Sequence, residues 1–377
     1  MRTLAPAGAR LGAVVKADGY GHGLEVAART FVAAGADLLC VATLDEAVRV
    51  REAGIGAPVL VLFEVPPEAM PLAAATGVEL VASDPAGLER SLAAMGAARA
   101  TPGGPLLAVH LEIETGLGRA GFPPASAGVA AKRIADTPGV RLAGLWTHFA
   151  SSHDEAATAA QLRRFGEAEA ALAAAGVAAP SRHVAATGGL FRAELGEADL
   201  VRPGLALYGE LPDGFPVVAA ARPVARALRP AMTLKARPLR VERLAAGEAV
   251  GYGGLWRAPR PSTVATLPVG YGDGWSRAYG GRSFALVRGR RVPLVGSVAM
   301  DAVIADVTEI PQASTADEFV LLGAQGDERI TATELARLRT TISWEVLASM
   351  AYRIARVYHA AAGLTGTRTL AGEQRAR

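Results

Sequence analysis

Ala13-Val14-Val15-Lys16-Ala17-Asp18-Gly19-Tyr20-Gly21-His22-Gly23 is the stretch whose reading decides the fold. Two β-branched residues lead into a lysine, and three glycines around an aromatic open a turn before a helical pattern begins near Leu24. Lys16 therefore stands at the C-terminal end of a strand. The chain holds 39 lysines and arginines, yet only Lys16, Lys132 and Lys235 are lysines, so positive charge is almost everywhere supplied by arginine. A lysine kept here points to chemistry that arginine cannot perform. An amine can lose its proton and condense with a carbonyl, whereas a guanidinium stays charged.

Outward from this stretch, short β-branched or leucine-rich runs alternate with Ala-rich helical intervals. The runs fall near 12–15, 38–42, 58–62, 78–81, 106–112, 142–148, 181–186 and 199–202. Leu44 to Ala53, Asp84 to Ala97 and Asp154 to Ala174 are the clearest helices, each opening at or just after a capping-type residue. Strand-then-helix repetition of this kind predicts an α/β chain that begins with a parallel (β/α)8 barrel, residues 1–225. Gly188 to Glu194 is short for the helix of its unit. The rhythm then changes. Met232 to Val241, Thr263 to Pro268, Phe284 to Val287, Val292 to Val295, Val303 to Val307 and Phe319 to Leu322 read as strands between Gly, Pro and Arg-Gly-Arg turns. They predict a smaller, mainly β domain over 226–377, closed by helical patches at Ala332 to Leu338 and Trp344 to Tyr352. Pro212 to Pro230 reads as the linker, and the stretch from Thr365 to the end, without periodicity, as a frayed tail.

Composition excludes several classes. Half of the residues are hydrophobic, but Ala and Gly supply much of that; no run of eighteen apolar residues occurs and no apolar segment follows the first arginine. The expectation is a cytoplasmic protein without a membrane contact. A single cysteine, Cys40, lies in an apolar run, so neither a disulfide framework nor a metal site is expected. The net charge of +3 comes from scattered arginines without a basic block, which argues against nucleic-acid binding.

In such a barrel the C-terminal ends of the strands carry the active site. Lys16 follows the first strand and Arg119 the fifth, in Glu112-Ile113-Glu114-Thr115-Gly116-Leu117-Gly118-Arg119. His148 ends the sixth, Thr187-Gly188-Gly189 follows the seventh, and Arg202-Pro203-Gly204 the eighth. Convergence on one rim makes a shared anionic ligand the economical explanation. Thr187, with Gly204 and Leu205, offers a hydroxyl and backbone N–H groups late in the barrel, where phosphates are commonly held. A phosphate beside a reactive lysine points to pyridoxal phosphate, whose ring takes up electrons when a bond at an amino acid α-carbon breaks.

With these residues in hand, the chain resembles the alanine racemases. Val14 to Gly23 is similar to their pyridoxal-phosphate signature. His148-Phe149-Ala150, Val201 to Gly209, Val250-Gly251-Tyr252-Gly253, Val269 to Gly274, Met300-Asp301 and Tyr352-Arg353 match family motifs in the family's order. The resemblance implies a homodimer in which the β domain of each subunit completes the partner's barrel mouth. It implies that Lys16 holds the cofactor and moves the α-proton on one face of the substrate, with Tyr252 of the partner subunit serving the other; one base alone would return the proton to the side it left. It also implies that Arg202, fixed by His148, faces the pyridine nitrogen, and that Tyr20, Thr187, Gly204, Leu205 and Tyr352 hold the phosphate. Arg119 and the partner's Met300 would meet the substrate side, Tyr271 would line the entrance, and Asp301 would steer Tyr252 or the entrance. The implied product is D-alanine for peptidoglycan; a racemase of another small amino acid such as serine, or a fold-related decarboxylase, is the alternative.

Departures from the family pattern are specific. Glu112 stands where many members carry a carbamylated lysine and is expected to pair with Arg119. Ala186-Thr187 replaces the usual Asn-Ser, and Ser297 a common arginine. Members usually have some twenty further residues before this start, so the expectation is either a chain that begins upstream of Met1 or, failing that, a sheet edge near the N-terminus that is exposed or differently covered.

Overall fold

The computed structural model describes residues 1–98, 106–177, 181–192, 197–212, 214–361 and 363–375. They divide into two compact units, Met1–Gly19 with Leu24–Leu228, and Tyr20–Gly23 with Arg229–Arg377.

The first unit is a parallel barrel. Its strands are β1 (Arg10–Val14), β2 (Leu38–Val41), β3 (Val59–Val61), β4 (Leu80–Ala82), β5 (Leu107–Glu112), β6 (Val140–Trp146), β7 (Arg182–His183) and β8 (Leu200–Val201). They run in the orders β3-β2-β1-β8 and β4-β5-β6-β7. Parallel bridges Leu60↔Glu79 and Ala186↔Arg202 join the two runs and close the circle. The strands are buried on both faces, which is why they read as continuous apolar runs without alternation. β7 and β8 are shorter than their sequence runs, because the chain leaves the ladder to form the rim. The short helix Thr187–Arg192 does form; the last two residues of the expected span, 193–194, lie outside the described residues.

β1 is paired on both sides, to β2 and β8, so the expected exposed edge does not lie there. Ahead of it, Arg2 donates to Ala9 O at 2.9 Å and to Asp37 Oδ2 at 2.7 Å, and Asp37 also accepts from Leu11 N at 2.7 Å. The helix Leu44–Glu52 starts with a capping box between Thr43 and Glu46. Glu46 does more than cap, since its Oε1 accepts the Ala17 N–H at 2.6 Å. The helix Glu155–Ala174 is capped by Asp154, which accepts from Ala157 N at 3.0 Å.

After Lys16 the chain makes a left-handed turn. Ala17, Asp18, Gly19 and Tyr20 have φ of 55°, 55°, 62° and 51°. For the three that are not glycine this conformation costs about 1–2 kcal/mol each, so it persists only because its surroundings impose it. Gly19 N donates to Val15 O at 2.8 Å, and Asp18 Oδ1 accepts from Leu24 N at 3.0 Å.

The next four residues, Tyr20–Gly23, belong to the second unit. Arg356 donates twice to Gly21 O, at 3.0 and 2.9 Å, and the Tyr358 hydroxyl donates to His22 O at 3.0 Å. A Cβ on Gly21, where φ is 77°, would come within 2.1 Å of Leu347 O. Gly21→Ala is therefore expected to destabilise the protein by about 3 kcal/mol or more, from left-handed strain plus a backbone clash that nothing flexible can relieve. Urea unfolding measures it, and a loss below about 1 kcal/mol would mean that the loop relocates freely.

The second unit is built on an antiparallel sheet. Its strands are β9 (Leu234–Ala236), β10 (Arg240–Leu244), β11 (Ala249–Val250), β12 (Trp256–Arg257), β13 (Ser262–Leu267), β14 (Phe284–Val287), β15 (Arg290–Val295), β16 (Val303–Asp306), β17 (Phe319–Gln325) and β18 (Glu328–Ile330). The order is β10-β13-β16-β15-β14-β17-β18, with β9 added beside β17 and β11 paired to β12. The expected single strand Met232 to Val241 is broken into β9 and β10 around Pro238, which has no N–H for a ladder. Helices cover Ala332–Arg339 and Ser343–Ala348. The expected linker contains the helix Arg222–Ala227, with residue 213 outside the described residues.

The tail corrects the sequence reading. It is not frayed: β19 (Arg356–Ala360), β20 (Gly363–Thr369) and β21 (Gly372–Arg375) form an antiparallel sheet. Residues 376–377 lie outside the described residues. These strands are largely exposed, so they lack the apolar alternation by which strands are usually found.

Candidate active site

In the first unit, Lys16 is partly buried beyond the end of β1, and among the described residues its ammonium has no hydrogen-bond or ion-pair partner. Burial, and then the nearby charge of Arg119, push its pKa below the usual lysine value. Both effects enlarge the neutral fraction, which is the form that attacks a carbonyl or takes a proton.

Arg119 lies beside Glu112 at the end of β5. Its Nη2 donates to Glu112 Oε1 at 3.1 Å, and its guanidinium sits 5.5 Å from the centre of the Phe63 ring. Glu112 is 3% exposed. Burial raises its carboxyl pKa, and Arg119 pulls in the opposite direction without cancelling the rise. The loop between them is shaped by Glu114, whose carboxylate accepts the N–H groups of Gly116 and Gly118. If this ion pair aims Arg119 at a carboxylate substrate, Glu112→Gln should raise KM for the amino acid about tenfold with little change in kcat, the scale of one charge-assisted hydrogen bond. Unchanged steady-state kinetics would remove Glu112 from the site.

Arg202, just past β8, is 2% exposed. The anticipated partner His148 is not the one it uses. Its Nη1 meets His183 Nδ1 at 2.6 Å and donates to His183 O at 2.9 Å, while Nη2 donates to Thr147 O at 2.8 Å. Its guanidinium also lies 4.8 Å from the centre of the Trp146 ring. The reason is geometric: β7 and β8 are neighbours in the barrel, so His183 faces Arg202 directly. Burial lowers the Arg202 pKa to about 10, which still leaves it cationic at neutral pH.

His148 keeps its ring without a hydrogen bond among the described residues, and burial together with Arg202, Arg119 and Lys16 pushes its pKa down to about 3. His110 and His183, fully buried, are shifted downward as well, first by burial. Below an unfolded-state pKa of about 6.5 the unfolded chain takes up protons that the folded chain refuses. Stability is therefore expected to be retained above about pH 6.5 and to fall as pH drops toward about 3. His148→Gln should flatten that fall when unfolding free energy is measured against pH, and an unaltered acid limb would show that His148 does not contribute.

Thr187 is buried at the start of its short helix, and its Oγ1 accepts the Gly204 N–H at 3.0 Å and the Ala206 N–H at 3.5 Å. Leu205 follows Gly204 and is fully buried. The Thr187 hydroxyl thus gathers the N–H groups of Gly204 and Ala206, bringing the segments after the seventh and eighth strands together.

The remaining expected residues lie in the second unit. Tyr252 is 76% exposed, Met300 52%, and Tyr271 is also exposed. Ser297 Oγ donates to Tyr252 O at 3.1 Å, so this departure from the family pattern supports the Tyr252 backbone. Among the described residues Asp301 makes no hydrogen bond to Tyr252; it accepts from Arg353 Nη2 at 2.6 Å, while Arg353 Nε donates to Asp273 at 2.7 Å. Arg353 ties the Met300-Asp301 and Gly272-Asp273 motifs together. Tyr20 is buried, and Tyr352 carries the Arg368 guanidinium 4.2 Å from its ring centre.

Sequence reading overlooked His183, His110, Glu79 and Glu46. A signal exists for His110, which interrupts the apolar run Leu106 to Leu111, and for Glu46 in its capping pattern, whereas His183 follows the polar Ser181 and Arg182 and does not stand out. Among the described residues no group of three or more His, Cys, Asp or Glu side chains is placed to hold a metal ion, and no helix is long and apolar enough to cross a membrane.

Comparison with known proteins covers both units. Residues 1–212 match the model of the alanine racemase N-terminal domain, and residues 231–358 that of the C-terminal domain. An alanine racemase of Syntrophobacter fumaroxidans is 39% identical over 94% of this chain and 92% of its own length. One of Symbiobacterium thermophilum is 40% identical over 93% and 90%. Among solved structures, alanine racemase of Bacillus anthracis with bound L-Ala-P superposes with a TM-score of 0.86 at 29% identity, covering 97% of this chain and 92% of that one. Alanine racemase of Streptomyces lavendulae, a D-cycloserine producer, gives 0.82 at 33% identity, covering 94% and 91%. With both domain models matched in order and relatives this similar over nearly their whole length, the chain belongs to the alanine racemase family.

Proposed function

We propose that the protein interconverts L- and D-alanine with pyridoxal phosphate as cofactor, in a homodimer whose sites are shared. The observation that carries the reading is Lys16, a partly buried amine of lowered pKa without a partner among the described residues, in a chain of this family. The first unit fits the cofactor on its own terms. An amine without a partner among the described residues, the Thr187 hydroxyl beside the Gly204-Leu205 backbone, and a fixed guanidinium at Arg202 match an aldehyde, a phosphate and a ring nitrogen. The family pattern adds the hydroxyls of Tyr20 and Tyr352 to the phosphate ligands.

When bound, pyridoxal phosphate delocalises the electron pair left when the α-proton is removed. The residues do the rest. Arg202 cannot give up a proton at ordinary pH, so it leaves the ring nitrogen unprotonated and keeps the electron sink modest, which limits competing reactions. His148 stays neutral and adds no positive charge there. Arg119, backed by Glu112, orients the substrate carboxylate, with Met300 of the partner subunit contributing an N–H. Lys16 takes or gives the α-proton on one face and Tyr252 of the partner subunit on the other. Tyr271 lines the entrance and Asp301 shapes it through Arg353. The exposure of Tyr252 and Met300 on the single chain supports a role that a second subunit completes. The product fits D-alanine supply for peptidoglycan in the cytoplasm.

Incubation of the protein with each L-amino acid, followed by chiral analysis, tests the assignment. D-alanine should dominate, with a visible absorption band that disappears on borohydride reduction. Racemisation of serine in preference to alanine would overturn the substrate and spare the chemistry.

A further inference from the structure

A row of polar side chains, buried except for the partly exposed Glu79 at its lower end, crosses the interior of the barrel, where layers of apolar side chains are the rule. Glu79 stands at the entering end of β4, His110 within β5, His183 at the end of β7 and Arg202 just past β8. Glu79 Oε2 lies 2.8 Å from His110 Nε2, His110 Nδ1 lies 2.8 Å from His183 Nε2, and His183 Nδ1 lies 2.6 Å from Arg202 Nη1. Both imidazoles are fully buried, and the His183 ring is stacked parallel to Trp146 with centroids 5.7 Å apart.

Only one arrangement of protons satisfies every contact. Arg202 can only donate and ionised Glu79 can only accept. Glu79 therefore requires a proton on His110 Nε2, and a neutral His110 then presents a bare Nδ1. That nitrogen requires a proton on His183 Nε2, which leaves His183 Nδ1 bare to accept from Arg202. Starting from Arg202 and working back gives the same polarity. A second proton on either ring would set two donors against each other. The ionisable surroundings agree: the hydrogen bond to His110 holds the Glu79 carboxyl below its usual range despite burial, with Arg10 and Arg141 adding to the effect. Around Arg202 the further ionisable groups are Cys40, Glu112, Arg119, Lys16 and His148, and burial holds the Cys40 thiol at about 12, neutral.

A polar row whose histidines and arginine are buried, and whose Glu79 end is partly exposed, is costly unless satisfied, and here each link is used. Its upper end is a guanidinium whose direction sets what the barrel mouth presents, and its lower end is a carboxylate remote from any substrate. We propose that Glu79 and His110 are positioning residues for Arg202, acting through His183, and that the row is held in the single proton arrangement Arg202→His183→His110→Glu79. The consequence for catalysis rests on the assignment of Arg202 to the cofactor ring; the proton arrangement does not.

Selective 15N labelling of histidine in the full-length protein tests the arrangement directly. His110 and His183 should both appear as neutral Nε2–H tautomers with bare Nδ1, unchanged from about pH 6 to about pH 9. An Nδ1–H tautomer or an imidazolium at either position overturns the proposal, whether or not the protein racemises alanine. Glu79→Leu leaves the His110 donor unpaired; kcat should fall about tenfold to a hundredfold with KM for alanine nearly unchanged, and the apoprotein should bind pyridoxal phosphate more weakly. Glu79→Gln keeps an acceptor and should restore most of kcat. A folded Glu79→Leu protein with wild-type kcat and cofactor affinity would sink the positioning role. Absence of racemisation with the stated tautomers present would instead sink the alanine reading and leave the row standing.

Discussion

Lys16→Ala is expected to lower racemase activity at least about a thousandfold and to remove the borohydride-sensitive absorption band, because one residue serves both as covalent holder and as base. The same substitution is expected to leave the apoprotein as stable as the parent or slightly more stable near neutral pH. The folded-state pKa of Lys16 lies below the ordinary lysine value, so the unfolded chain binds more protons between the two. Stability rises with pH across that window, and below it the charged amine is a liability that alanine removes. Partial exposure keeps the gain small. Urea unfolding of the apoprotein measures it, with a clear loss of stability reassigning Lys16 to structure. A folded variant that retains the band would mean that another amine holds the cofactor, for which Lys132 and Lys235 are poor candidates because they are salt-bridged to Asp136 and Glu318.

What the sequence made legible follows from where each signal comes from. Barrel strands were found because burial on both faces demands continuous apolar runs, and the rim residues because strand ends in a parallel barrel share one face. Lys16 stood out through the scarcity of lysine. The proton row was not legible, since His110 and Glu79 meet only when β4 and β5 pair, and a lone histidine in an apolar run has no visible partner. The pairing of Arg202 with His148 comes from the family resemblance, and the residues alone do not show that His183 faces Arg202 across β7 and β8. The tail sheet escaped because exposed antiparallel strands carry no apolar period. Glu46 illustrates a subtler limit. Its capping pattern is readable as Thr43-x-x-Glu46, but its second bond, to the N–H after Lys16, depends on the left-handed turn that places Ala17 above the helix.

Tyr252→Phe separates catalysis from folding more cleanly than any other change in this chain. The side chain is 76% exposed on the single chain, and the contact that holds this residue's backbone comes from Ser297 to its carbonyl, which phenylalanine preserves. Thermal stability should therefore be unchanged within about 0.5 kcal/mol, the usual range for an exposed substitution. Racemisation should fall about a hundredfold to ten-thousandfold, the contribution of a positioned acid or base. The decisive readout is exchange of the α-hydrogen in D2O. If Lys16 and Tyr252 of the partner subunit serve opposite faces, Tyr252→Phe keeps exchange for one alanine enantiomer, through Lys16, and loses it for the other. Loss of exchange for both enantiomers with cofactor binding intact, or retention for both, would be incompatible with two opposed bases. An oligomeric control completes the logic. Mixing Lys16→Ala with Tyr252→Phe protein should regain part of the activity, because a hybrid dimer holds one site with both bases, whereas a site contained within one chain would regain none.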